Sequence, residues 1–101
     1  MSKNVIVRYR TRPDTADENA RLVEGVYAAL AELQPADFRY TTYRLEDGVT
    51  FVHVAHHGED ANPLPSLPAF AAFQRELRER CDEPPAPSAA TIVGSYTGAG
   101  R

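Results

Sequence analysis

Apolar and polar side chains alternate along residues 5–10, with Val5, Val7 and Tyr9 at one parity and Ile6, Arg8 and Arg10 at the other. A two-residue period of β-branched and aromatic residues predicts a strand. The period then lengthens: Val23, Val26, Tyr27, Leu30 and Leu33 recur at steps of three and four opposite Arg21, Glu24 and Glu32, which predicts an amphipathic helix. Thr15 and Glu18 have the spacing of a capping box at its start, and Pro35 ends it. Gly25 inside this helix costs about 1 kcal/mol relative to alanine, so a close approach to a neighbouring layer is expected there.

Residues 38–45 and 49–57 are again aromatic and β-branched, and the Asp47-Gly48 pair between them suits a tight hairpin. A second helix is predicted after the proline-rich loop, capped by Ser66 with Pro68 in its first turn and buried through Leu67, Phe70, Phe73, Leu77 and Cys81. Three prolines make 82–88 an extended crossing, leaving 89–96 as the fourth strand. The small residues of 97–101 predict a flexible tail behind a single domain spanning 1–96.

The resulting order βαββαβ predicts a ferredoxin-like α+β fold, a four-stranded antiparallel sheet in the order 4-1-3-2 with both helices on one face. If Val5, Val7, Val52 and Val54 face the helices, then Ile6, Arg8, Phe51, His53, Ala55 and His57 form the uncovered face. Phe51 and Ile6 argue against plain solvation, whereas Arg8 and His53 argue against a dry interface. A homodimer closing two sheets around a partly polar cavity meets both demands.

Composition narrows the classes. With 43% hydrophobic and 25% charged residues the 101-residue chain is ordinary for a globular protein, and no apolar run approaches the roughly 20 residues that span a bilayer. The early charges at Lys3 and Arg8 leave no room for a secretory leader, so a cytoplasmic location is expected. A formal charge of −3 argues against a general grip on nucleic acid, and the single cysteine, Cys81, excludes an internal disulfide. His53 and His57 lie roughly 13 Å apart along a strand, too far to share a metal ion, and a cation held by His56, His57, Glu59 and Asp60 is disfavoured because adjacent strand residues diverge.

The stretch from Tyr43 to His57 resembles the strand-turn-strand segment of the antibiotic biosynthesis monooxygenase family, as do Arg10-Thr11-Arg12-Pro13-Asp14 leading into a helix and Leu67-Pro68-Ala69-Phe70-Ala71-Ala72-Phe73. The resemblance implies ferredoxin-like subunits paired into a dimeric α/β barrel, each with a pocket between sheet and helices. It also implies oxidation of a phenolic or quinol-like aromatic molecule with no metal or flavin cofactor. Where that family often carries glutamate and tryptophan at the end of the third strand, this chain has Ala55 and His57, which argues against the heme-degrading relatives.

Oxygenation of this kind needs a base to take the phenol proton and a cation or hydrogen-bond donor beside the resulting anion. The resemblance therefore makes His53 and His57 the candidate bases and Arg8 the cation, with Tyr40, Phe51 and Asn62 as substrate-binding residues. The competing readings are a non-catalytic ligand-binding module of the ACT type and a purely structural dimer. The former is disfavoured by a first loop, Arg12-Pro13-Asp14-Thr15, that lacks glycine.

Overall fold

The computed structural model describes residues 3–58 and 61–98. Its elements run β1 (Lys3–Thr11), α1 (Ala16–Leu33), β2 (Phe38–Arg44), β3 (Thr50–His57), α2 (Pro68–Gln74) and β4 (Cys81–Ala90), with single 3₁₀ turns at Pro13–Thr15, Leu64–Ser66 and Arg78–Arg80. The four strands form one antiparallel sheet in the order β2-β3-β1-β4. This is the ferredoxin-like α+β arrangement that the periodicity predicts. Among the described residues no helix is long and apolar enough to cross a membrane.

Several elements depart from the sequence expectation. β4 comprises Cys81–Ala90 and so contains the three prolines, while residues 91–98 carry no regular structure. Prolines are tolerated because β4 is an edge strand, and Pro84 and Pro85 sit opposite the single residue Tyr9 in a bulge between the pairs Arg8–Ala86 and Arg10–Glu83. Cys81 accordingly opens β4 rather than ending a helix. Of the expected tail, residues 99–101 lie outside the described residues, as do Glu59 and Asp60 of the disfavoured cation site.

α2 stops at Gln74, one turn short of its apolar stripe, because Arg75 is extended and Glu76 is left-handed (φ 61°). The freed carbonyls of Phe73 and Arg75 accept hydrogen bonds from Arg80 Nη2 (2.7 Å) and Nη1 (3.1 Å), a side-chain substitute for the next helical turn. The expected capping box at α1 does not form. Thr15 makes no capping bond and instead turns its hydroxyl to the carbonyls of Arg12 (3.2 Å) and Arg80 (2.8 Å), tying the helix entry to the turn before β4. Nor does the tight hairpin form: Leu45–Val49 separate β2 from β3, with only Gly48 among them at positive φ (80°). Asp47 holds that loop by accepting from Val49 N and Thr50 N, both at 2.9 Å.

Register corrects the assignment of the two sheet faces. Val7 pairs with His53, Tyr9 with Phe51 and Thr42 with His53, and directly opposed residues share a face. Phe51, His53, Ala55 and His57 therefore lie under the helices beside Val5, Val7 and Tyr9, while Ile6, Arg8, Val52 and Val54 face away. Residues 51–55 present apolar side chains at both parities, so side-chain type alone does not choose the buried one. The larger side chains of the core are Tyr9, Val23, Val26, Phe51, Leu64, Leu67, Phe73 and Leu77, packed with Ala16. Full burial of each such side chain contributes roughly 1.5–3 kcal/mol.

Candidate functional site

Beneath α2 the sheet does not close completely. Val5, Val7, Tyr9, Tyr40, His53, Ala55, Leu64, Phe70, Phe73 and Leu77 border a cavity of about 120 Å³, apolar over most of its wall. An apolar cavity of about 150 Å³ admits benzene. The space therefore matches one ring rather than a polycyclic molecule.

Apart from the exposed Gln74 at the rim, polar groups reach this cavity through one buried chain of hydrogen bonds. Arg80 Nε donates to Asn19 Oδ1 (3.1 Å), Asn19 Nδ2 donates to Tyr9 Oη (2.8 Å), and Tyr9 Oη lies 2.8 Å from His53 Nε2. On the other side of the imidazole, Nδ1 lies 2.8 Å from Tyr40 Oη and 3.0 Å from Thr42 Oγ1, and Thr42 meets Tyr27 Oη at 2.8 Å. The chain runs from the turn before β4 through α1, β1 and β3 to β2. His53 is 4% exposed and Arg80 6% exposed, and no buried polar side-chain atom among the described residues lacks a partner.

Burial dominates the acid-base behaviour of the chain. Desolvation penalises the imidazolium and pushes the His53 pKa down from 6.5 to about 4, so the ring is neutral at pH 7. Desolvation likewise raises the phenols of Tyr9 and Tyr40, against the opposing hydrogen bonds from Asn19 and Thr42 respectively. Both tyrosines therefore keep their protons and act as hydrogen-bond donors. Stacking fixes them in place: Tyr9 lies 5.5 Å from Phe51 and 5.3 Å from His53, and Tyr40 lies 5.3 Å from Tyr27.

Of the residues singled out from the sequence, His53 and Tyr40 meet at the cavity. Phe51 stacks on Tyr9 one layer deeper and faces a separate depression with Tyr27, Thr42 and Arg44. His57 is buried at the far end of β3, where its Nδ1 donates to the Gly58 carbonyl (2.7 Å). Asn62 is exposed, its Oδ1 accepting from Leu64 N (3.1 Å) to brace the turn that carries Leu64 into the cavity wall. Arg8 is exposed on the opposite face of the sheet, so it does not reach His53. Among the described residues no group of three histidine, cysteine, aspartate or glutamate side chains converges as metal ligands would.

Sequence reasoning missed Tyr9, Asn19 and Arg80, although two of the three carry a visible signal. Asn19 falls on the apolar stripe of α1, four residues before Val23, and Arg80 continues the Phe73–Leu77 spacing by three. A polar residue on a buried stripe is the mark of an internal hydrogen-bond network.

No protein-family profile matches the chain, and no curated protein does. Solved structures do match. Rv0793 from Mycobacterium tuberculosis superposes with a TM-score of 0.72 at 18% identity, covering 96% of this chain and 100% of that one. A mutant of SnoaB from Streptomyces nogalater, described as a cofactor-independent oxygenase, superposes with a TM-score of 0.70 at 18% identity over 96% of this chain and 98% of its own. A third structure, described as an antibiotic biosynthesis monooxygenase, gives a TM-score of 0.69 at 14% identity over 93% and 100%. At such identities the likeness establishes architecture, and the chain has the ferredoxin-like α+β fold of structures described as antibiotic biosynthesis monooxygenases.

Proposed function

We propose that the protein is a cofactor-independent monooxygenase of a small, single-ring phenol or quinol, working as a homodimer. The observation that carries this reading is the Tyr9–His53–Tyr40 hydrogen-bond chain ending at an apolar cavity of benzene-like size. The apolar walls take the ring, and Tyr40 Oη takes its oxygen. The resemblance of fold to SnoaB, a cofactor-independent oxygenase, supports it.

The chemistry balances with dioxygen as the only co-reactant. A phenolate passes one electron to dioxygen, and the phenoxyl radical and superoxide join at a ring carbon to give a hydroperoxide once a proton is taken up. The O–O bond then breaks as the proton on that carbon leaves, giving a quinone and one water. The phenol loses four electrons and dioxygen gains four. The protein's share is to hold the phenolate, keep bulk water from the ring and donate a hydrogen bond to charge on oxygen.

A second reading, a non-catalytic receptor for the same ligand, is favoured by one feature. His53 Nε2 is engaged by Tyr9 and its pKa lies near 4, so the cavity holds no strong base at neutral pH. Oxygen consumption with simple phenols and hydroquinones, measured with a chelator present and neither metal nor flavin added, separates the two. An oxygenase carries one atom of isotope-labelled dioxygen into the quinone it forms and releases the other as water rather than hydrogen peroxide, and Tyr40→Phe slows it about a hundredfold. Ligand-induced thermal stabilisation without oxygen uptake supports the receptor.

A further inference from the structure

Arg80 is a cation buried without a counter-charge: among the described residues it forms no ion pair. Its three hydrogen bonds run to Asn19 Oδ1 and to the carbonyls of Phe73 and Arg75, and its guanidinium lies 5.7 Å from the centre of the Phe73 ring. A guanidinium only donates, so it fixes which end of the Asn19 amide faces it. The amide oxygen turns to Arg80, and the NH2 turns to Tyr9.

That choice propagates. Tyr9 Oη already accepts from Asn19, and among the described residues the other polar atom within reach of its own proton is His53 Nε2. Were Nε2 protonated instead, the hydrogen of Tyr9, which is 1% exposed, would be buried without an acceptor, whereas the half-buried Tyr40 can turn its own hydrogen outward. Nε2 is therefore bare and Nδ1 carries the proton, which it donates toward Tyr40 Oη and Thr42 Oγ1. Thr42 has one hydrogen, for which Tyr27 Oη and Tyr40 Oη are both outlets, and neither choice engages the Tyr40 hydrogen. The Tyr40 hydrogen is left for the cavity that Tyr40 borders.

We propose that the Arg80–Asn19 pair sets the direction of this hydrogen-bond chain, so that Tyr40 presents a donor and the cavity selects the oxyanion form of its ligand, a phenolate or enolate, over the neutral hydroxyl form. The inference rests on the cavity as the substrate site and deepens that reading, since it says which protonation state binds. The charge of Arg80, unpaired among the described residues and lying behind the Phe73 ring that borders the cavity, acts in the same sense by favouring an anion in that low-dielectric space. Other ionisable groups facing the chain are the phenols of Tyr9, Tyr27 and Tyr40 and the Cys81 thiol, and burial raises all four, so each stays protonated and neutral when the anion binds. Arg80 and Asn19 are positioning residues, and Tyr40 alone touches the ligand oxygen.

Two measurements test it on the full chain. Nitrogen NMR of the labelled histidines assigns the His53 tautomer: the proton on Nδ1 is expected, and a proton on Nε2 overturns the proposal whatever the enzyme does. Titration with 4-nitrophenol, whose phenolate absorbs in the visible, reports the bound form directly. The wild type is expected to bind the phenolate at least about tenfold more tightly than the phenol. Equal binding, or none, overturns it.

Asn19→Asp is the decisive variant. Its carboxylate keeps the shape of the amide, pairs with Arg80 and accepts from Tyr9, so the chain reverses: Nε2 becomes the protonated nitrogen, Nδ1 accepts from Tyr40, and preference for the phenolate disappears. Retained preference with Nδ1 protonated in a folded Asn19→Asp protein counts against the proposal, and Tyr40→Phe must lose the preference with the His53 tautomer unchanged. Absence of oxygen uptake alongside these results removes the oxygenase reading and leaves anion selection standing.

Discussion

At the residue scale His53 decides most of the site. An unfolded chain binds a proton at this imidazole near pH 6.5, whereas the buried ring binds one only near 4. Between those values the unfolded state holds a proton that the folded state lacks, so the contribution to stability falls as pH drops from 6.5 toward 4 and levels off below, where both states are protonated. The shift corresponds to about 3 kcal/mol. Urea unfolding of wild type and His53→Gln from pH 7 to 4 reads the effect as a difference, with carboxylate titrations common to both. The wild type is expected to lose about 3 kcal/mol relative to the variant across that range, and parallel curves would refute the account.

What the sequence conveyed about individual residues followed from local pattern. His53 and Tyr40 stand out because an ionisable ring and a phenol occupy strands. Alternation alone leaves Arg8 and His53 free to share a face because residues 51–55 are apolar at both parities; only the pairing of Val7 with His53 resolves which side the imidazole occupies. Pairing is a long-range property, and no local period contains it. Asn19 and Arg80 were legible in principle, being polar at apolar spacings, yet each is meaningful only with the other, 61 residues away.

At the element scale the two helices and first three strands follow from periodicity, whereas β4 does not. Its prolines speak against a central strand, and they are compatible with this one because the β2-β3-β1-β4 order puts it at an edge. The apolar run at Ile92 and Val93, which resembles a strand, is instead exposed. Gly25 shows the same limit in α1. A close approach would justify its cost, but nothing lies within 4 Å of where a Cβ would stand, and the position is exposed. Gly25→Ala is therefore expected to stabilise the protein by about 1 kcal/mol and raise Tm by about 5 °C in a thermal melt. A neutral or negative shift would mean that the glycine serves something outside the isolated chain.

At the scale of the whole molecule the cavity and the open sheet face lie on opposite sides of the sheet. A chamber formed by two sheets meeting would have made the site depend on the dimer; instead the sheet, α2 and the turns beside it border the cavity within a single chain. The outer face retains its own reason for a partner. Ile6 is 38% exposed, Val54 and His56 flank it, and the chain after β4 brings Ile92 beside them, with Val93 and Tyr96 exposed farther on. Apolar surface gathered on one side of a sheet stabilises association when a second copy covers it. On the proposed homodimer, Ile6→Lys combined with Val54→Lys places four like charges in the shared interface and is expected to yield monomers in sedimentation velocity. Neither residue borders the cavity, so 4-nitrophenolate binding per chain should stay within about twofold of wild type. A wild type that sediments as a monomer removes the dimer while sparing the site. Loss of binding on dissociation would show instead that the partner completes the cavity, reversing the separation of site and interface that the sheet imposes.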